Sequence, residues 1–473
     1  MVSFQVKDIV RATKGVLLRG EEETEITNVV TDSREAREGS LFVPIIGERV
    51  DAHRFIPEVI KAGAAATFTS NRDVVARLEG VEEKGACIYV EDTLSALQAL
   101  AGWYRGRFDI PVIGVTGSVG KTTTKEMISA VLSTKYHILK TMGNLNSQIG
   151  VALMMFQIDE STELAVFEMG MSMPGEMARL VEIAKPQTAV MTNIGVSHIG
   201  NLGSRENIAY EKGHIVKYVG TSHNGKMYIC GNGDLKELSR ENIPYDNCLS
   251  ECETVFYGTE KGCCFLATDI EVTETGQQFV YHGENTCRVN LSVMGGHNVN
   301  NAVIAMALGE QFDIEPEMAA EALAQYRPFS MRGERKDCHG YHVIDDTYNA
   351  SPDSINSNID ALFDYGGEGE KIVVLGDVLE LGEQMESLHR GIGDFIVSEA
   401  EKGKKLSYVI TVGEGAGYIC RQVEEKSDIP TRSCRDNEEA AAFLKQVVKP
   451  GDWVLIKGSR GMHMDEVVKK VVM

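Results

Sequence analysis

The sequence predicts an α/β protein of three domains: a small N-terminal α/β domain over residues 1–107, a central parallel-sheet domain with a phosphate-binding loop (P-loop) over 108–328, and a C-terminal doubly wound, Rossmann-like domain over 329–473. Three observations predict it. The chain has 473 residues with 43% hydrophobic content, too long for a single core. Strand-like apolar runs alternate with helical periodicity from about residue 109 to 310, and the rhythm restarts in the last third of the chain. Between the two lies Gln325–Arg335, QYRPFSMRGER, whose proline and charges read as a linker.

Taken in order, the first hundred residues mix short apolar runs (GSLFVPIIG, AAATFTS, CIYVED) with a helical segment at Asp51–Ala62 and close on a second at Thr93–Arg107. At Asp109 the texture changes. IPVIGVTG reads as a strand running into glycines, and KTTTKEMISAVLS as the helix that follows. LAVFEMG, TAVMTNIG and KMYICG are further strands alternating with helices. The last domain offers HVIDDTY, KIVVLGD, YVITVG and DWVLIKGS, strands that run out into Gly, Asp or Ser as at the carboxyl ends of a doubly wound sheet. No repeat is visible, and Ser239–Cys287 carries no motif.

Composition narrows the function. Against 47 basic residues stand 69 acidic ones, a net charge of −22 that repels nucleic acid at long range. An anionic ligand must therefore find a local cation or a cluster of backbone N–H groups. Ten cysteines lack CxxC spacing and read as reduced thiols. No run reaches the roughly 18 to 20 apolar residues of a membrane span, and the start MVSFQVKDIVRATKG has no apolar leader. A cytoplasmic protein without membrane insertion is expected, and a monomer.

The strongest chemical signal is Gly114–Thr124, GVTGSVGKTTT. Backbone N–H groups around Gly117, Ser118 and Gly120 and the helix start would cradle phosphates, Lys121 would neutralise the outer ones, and the hydroxyls of Thr122 and Thr123 follow, the first suited to magnesium. The strict GxxxxGK[ST] spacing is not met, because position 115 is valine. Glu168 ends a buried strand, where a carboxylate needs a cation. Asn298 and Asn301 open an apolar helix and have amides that both donate and accept, as a purine edge demands, although Asn298 could equally cap that helix. Alone, His198 reads as a structural histidine and Lys212 as a helix-surface lysine.

The form GxTGxxGKTTT, with the blocks that follow it in order, resembles the Mur ligase and folylpolyglutamate synthase family. Thr141–Gly150 is similar to the family's TxGNxNxxxG segment, which puts Asn144 and Asn146 toward a nucleotide-sugar substrate. The resemblance assigns Thr122 and Glu168 to magnesium on ATP, His198 to a second magnesium, and Lys212 to a carbamylated lysine ligand. Carbamylation would be required chemically, since an ammonium cannot ligate a cation. Here Lys-Gly-His stands where the family commonly has Lys-Gly-Glu. Asn298 and Asn301 resemble the adenine-side motif, and Arg332 and Asp346 the third-domain contacts to ATP phosphates and ribose.

DDTYNASPDS, containing Tyr348, Asn349 and Ser351, resembles the branch of the family that adds D-alanyl-D-alanine. So do VLGDVLELG, His389 and IKGSRGMHM. The TDSR block with Ser33 and Arg34, followed by Gly39–Phe55, looks like that branch's uridine-binding domain, with Ala52 where glycine is usual. The implied reaction is ATP-dependent ligation of D-alanyl-D-alanine to UDP-N-acetylmuramoyl-tripeptide through an acyl phosphate, with two magnesium ions. A folylpolyglutamate or cyanophycin synthetase-like ligase is the alternative, opposed by the TDSR and DDTYNASPDS blocks. A P-loop kinase would lack an amine-binding third domain. A silent homologue is opposed by the joint presence of Lys121, Glu168, His198 and Lys212. Whether the tripeptide ends in meso-diaminopimelate or lysine is left open.

Overall fold

The computed structural model describes every residue except 1–2, 48, 75–77, 79–84, 275, 368 and 473. Glu48, inside the Gly39–Phe55 block, therefore lies outside the described residues.

The first domain is a five-stranded sheet in the order Val16–Arg19, Ala86–Tyr89, Ala66–Thr69, Ser40–Phe42, Asn28–Val30. Only the first of these is antiparallel to its neighbour. The helix expected at Asp51–Ala62 is present in two parts: Asp51 caps a 3-10 turn, Ala52–Phe55, that runs into Ile56–Lys61. Pro57 falls in its first turn, where a missing N–H has no partner to lose.

Thr93–Arg105 is a helix capped by the Asp92 side chain. It packs on Gln148–Met155 and Glu176–Ala184 of the central domain. The Tyr104 hydroxyl donates to the Ile158 carbonyl at 2.9 Å. Arg105 is only 4% exposed, and its guanidinium donates to the carbonyls of Phe108, Ile110 and Ala184. A buried guanidinium is stable because its N–H groups are filled. The helix thus splices the first domain onto the second.

The central sheet has nine strands, in the order Ile138–Lys140, Leu164–Glu168, Val112–Thr116, Thr188–Met191, Met227–Cys230, Thr254–Gly258, Phe265–Thr273, Gly276–His282, Thr286–Leu291. Every residue of Val112–Thr116 and Leu164–Glu168 is buried, as in parallel strands covered on both faces. The sheet is parallel as far as Phe265–Thr273 and then turns antiparallel. The parallel sheet expected from the sequence is present from Ile138–Lys140 to Phe265–Thr273, and two further strands joined by hairpins extend it in antiparallel fashion. Much of Ser239–Cys287 builds this extension. Helix Gly296–Gln311, buried from Val299 to Gly309 except at Asn300, lies along helix Lys121–Leu132 beneath the sheet.

The third domain has six strands in the order Glu334–Cys338, Tyr341–Asp346, Trp453–Lys457, Lys371–Gly376, Tyr408–Val412, Thr431–Cys434, parallel except for the first hairpin. The four expected strands are its interior. The two not anticipated, ERKDC and TRSC, are edge strands, whose polar residues hide the pattern and discourage pairing with other chains. The linker accordingly stops before Glu334. Among the described residues no helix is long and apolar enough to cross a membrane.

Candidate active site

Strand Val112–Thr116 delivers the chain into the turn Gly117–Gly120, and helix Lys121–Leu132 begins directly after it. Gly117 and Gly120 take φ of 145° and 85°. A Cβ on Gly117 would stand 2.0 Å from Thr192 Oγ1, so only glycine fits. Neighbouring loops hold the turn. Ser118 N–H donates to the Asn193 carbonyl at 3.2 Å, Val119 N–H to Asn193 Oδ1 at 2.7 Å, and Gly195 N–H to Ser118 Oγ at 3.0 Å.

Lys121 folds back over this turn, its Nζ donating to the Gly117 carbonyl at 2.9 Å and the Ser118 carbonyl at 3.3 Å. Burial lowers its pKa, opposed by Glu168 and reinforced by Arg332. Glu168, at the end of its strand, accepts from Thr122 Oγ1 at 2.8 Å and from Asn146 Nδ2 at 2.7 Å. These are hard oxygen donors side by side, the set a magnesium ion takes.

Asn301 is committed elsewhere than expected. Its Oδ1 accepts from Thr124 Oγ1 at 2.9 Å and its Nδ2 donates to Asn298 Oδ1 at 3.3 Å, while Asn298 Nδ2 donates to the Met294 carbonyl at 2.7 Å. The two amides tie helix Gly296–Gln311 to the phosphate-loop helix.

Lys212 lies on helix Arg205–Gly213 and is 1% exposed, not on the surface. Its pKa is driven well below the ordinary lysine value by burial first and then by the charge of Lys121. Among the described residues no hydrogen bond or ion pair is made by its Nζ. His198 stands at the start of the short helix Ile199–Leu202, with Nδ1 2.5 Å from Glu380 Oε2 of the third domain. Burial lowers its pKa, Lys212 lowers it further, and Glu380 opposes both.

The third domain closes the opposite wall. Arg332 lies 3.9 Å from the centre of the Tyr348 ring. Asp346 accepts from Asn358 Nδ2 and from the buried Lys457, which also donates to the Asn349 carbonyl at 2.9 Å. The Ser351 hydroxyl is used locally, accepting from Ser354 N–H as the cap of helix Pro352–Asp364.

One cavity of about 560 Å³ joins these walls. Ser118, Gly120, Lys121, Thr122, Thr123, Asn144, Asn146, Glu168, His198, Asn298 and Asn301 line it from the central domain, with Arg332, Asp346, Tyr348, Asn349 and Ser351 from the third. Gly117 shapes the turn without lining the cavity. Lys212 sits behind the wall, and Ser33 and Arg34 are in the first domain, outside the cavity. There Asp32 caps the turn Ser33–Glu35 and pairs with Arg34, whose hydrogen bonds hold the Asp32 carboxyl down to about 2. His389 is fully buried and satisfied, Nε2 accepting from Val378 N–H at 3.0 Å and Nδ1 bonded to the Met385 carbonyl at 2.7 Å.

Sequence reasoning missed His297, Asn358, Lys457 and Arg460, which also line the cavity. Lys457 and Arg460 were within reach, since both fall in IKGSRGMHM; nothing local marks Asn358.

Family models match almost the whole chain in three blocks: "Mur ligase family, catalytic domain" at 25–105, "Mur ligase middle domain" at 115–309 and "Mur ligase, glutamate ligase domain" at 331–460. The chain is 38% identical to the UDP-N-acetylmuramoyl-tripeptide–D-alanyl-D-alanine ligase of Bacillus subtilis, over 100% of this chain and 99% of that protein. To the enzyme of the same name from Escherichia coli it is 30% identical, over 93% and 92%. Among solved structures it resembles MurF from Acinetobacter baumannii, with a TM-score of 0.87 at 28% identity over 100% of this chain and 99% of that one. MurF ligase from Thermotoga maritima in complex with ADP gives 0.80 at 29% identity, over 94% and 96%. With its phosphate loop, its three-domain architecture and a relative this similar along its full length, the chain belongs to the Mur ligase family.

Proposed function

We propose that this chain joins D-alanyl-D-alanine to UDP-N-acetylmuramoyl-tripeptide at the expense of ATP, producing the UDP-linked pentapeptide, ADP and phosphate. The observation that carries the reading is the single cavity in which the phosphate loop faces Arg332, Asp346 and Tyr348 of the third domain. Similarity to UDP-N-acetylmuramoyl-tripeptide–D-alanyl-D-alanine ligases over 93% to 100% of the chain supports these substrates.

The tripeptide carboxylate attacks the γ-phosphorus of ATP to give an acyl phosphate and ADP; the dipeptide amine then attacks the acyl carbon and expels phosphate. The first step brings two anions together, so positive charge aimed at the phosphoryl oxygens lowers its barrier. Lys121 and those N–H groups of the Gly117–Gly120 turn that Asn193 does not engage supply it from this chain. Magnesium, when bound, adds Lewis-acid charge there, and Thr122, Glu168, His198 and a carbamylated Lys212 would hold two such ions. The fit rests on the paired oxygens of Thr122 and Glu168 and on the buried amine of Lys212, whose depressed pKa favours the neutral form that takes up carbon dioxide. Asn144 and Asn146 would face the nucleotide-sugar, Tyr348, Asn349 and Ser351 the dipeptide side, and Ser33 with Arg34 the uridine. Closing the third domain over the cavity excludes water, which would otherwise hydrolyse the acyl phosphate.

The test is phosphate release from ATP with UDP-N-acetylmuramoyl-tripeptide, comparing D-alanyl-D-alanine with single amino acids. Turnover should require both substrates and favour the dipeptide. Equal turnover with glutamate and a folate acceptor would overturn the reading.

A further inference from the structure

One loop of the central domain, Asn193 to Gly200, touches the phosphate loop on one side and the third domain on the other. Asn193 and Gly195 hold the phosphate turn as described. On the far side, Val196 N–H donates to Asp353 Oδ2 at 2.9 Å, His198 Nδ1 meets Glu380 Oε2, and Gly200 N–H donates to the Glu380 carbonyl at 3.2 Å. The joint has no slack. A Cβ on Gly195 would lie 2.1 Å from Asp353 Oδ2, and one on Gly200 2.7 Å from the Glu380 carbonyl oxygen. His198 and Glu380 both stand in the left-handed region, at φ 65° and 63°, which residues other than glycine hold only when their surroundings enforce it. The Glu380 side chain is 56% exposed, so the pair adds little to stability. What it fixes is the direction in which the imidazole faces.

We infer that Glu380 is a positioning residue: seating the third domain brings its carboxylate onto His198 Nδ1 and leaves Nε2 as the nitrogen available to the cavity, while Asp353 presses the same loop onto the phosphate turn. The kinetic consequence rests on the functional reading above; the contact itself does not.

The test uses the full chain with Glu380→Ala and Glu380→Gln. Removing a carboxylate that orients a ligating histidine should lower kcat by about 10- to 100-fold, with the KM for ATP within about threefold of wild type. Glutamine keeps an oxygen that accepts from Nδ1–H, so it should return kcat to within about threefold of wild type. Independently of turnover, amide hydrogen exchange over residues 193–203 should quicken in Glu380→Ala and not in Glu380→Gln. Wild-type kcat in the alanine variant, a glutamine variant no better than alanine, or unchanged exchange over 193–203 would each overturn the inference. If the wild-type chain releases no phosphate with the proposed substrates, the functional reading fails, and the exchange measurement still decides whether Glu380 holds the His198 loop.

Discussion

Replacing Lys212 by methionine keeps the buried stem and removes only the amine, which separates what that group does for the fold from what it does for the reaction. The side chain is 1% exposed and its pKa lies well below the usual 10.5 because of burial and the charge of Lys121. An unpartnered buried polar group costs about 1 to 3 kcal/mol. Lys212→Met should therefore be the more stable protein in buffer free of carbon dioxide, with Tm higher by roughly 2 to 4 °C for each kcal/mol. The pH dependence has a definite sign. Between the depressed folded pKa and 10.5 the unfolded chain binds a proton that the folded chain does not, so wild-type stability gains with rising pH across that window and the variant lacks this gain. Activity should move the opposite way. Loss of an anionic oxygen ligand should cut phosphate release by at least about 100-fold, and short carboxylic acids in the buffer should restore part of it where amines do not. Scanning calorimetry across pH and the release assay, run on the same preparation, check both halves. A variant less stable than wild type yet equally active, or one rescued by amines alone, would refute the reasoning.

Lys121→Ala should slow phosphate release by about 100- to 1000-fold, roughly 2.7 to 4 kcal/mol, because it removes a charge aimed at the transferring phosphoryl group; a rate within about threefold of wild type would show that the loop is not catalytic. His389→Ala should do the reverse, lowering stability by at least about 1 to 3 kcal/mol, because Val378 N–H loses its buried acceptor. Its kcat should stay within about threefold of wild type, and a larger kinetic loss without destabilisation would contradict a structural role.

What the sequence disclosed was chemistry that is local in the chain. A buried strand, two glycines at positive φ and Lys-Thr are contiguous, so the phosphate turn can be read from eleven letters. Four interior strands of the third domain were legible for a similar reason, their apolar runs being uninterrupted, whereas its polar edge strands lacked that signal. Commitments made across the fold were not legible. His198 and Glu380 are 182 residues apart, and nothing in either neighbourhood announces a left-handed backbone. Asn301 was read as facing a purine, but its amide is engaged by Thr124 and Asn298, partners that only the packing of two helices brings within reach. Likewise the hydroxyl of Ser351 caps its own helix, a local use that the residue type allowed and the motif obscured.

The splice at Arg105 bears on how substrate length is sensed. One guanidinium on the last helix of the first domain binds three carbonyls of the central domain, those of Phe108, Ile110 and Ala184, and so fixes the two domains together at that point. If the uridine end of the proposed substrate is anchored near Arg34 and its reacting carboxylate must reach Lys121, the span between them is set by the protein. The joint then works as a ruler: a stem one residue too short leaves its carboxylate outside the reach of the phosphoryl group, however tightly the nucleotide is held.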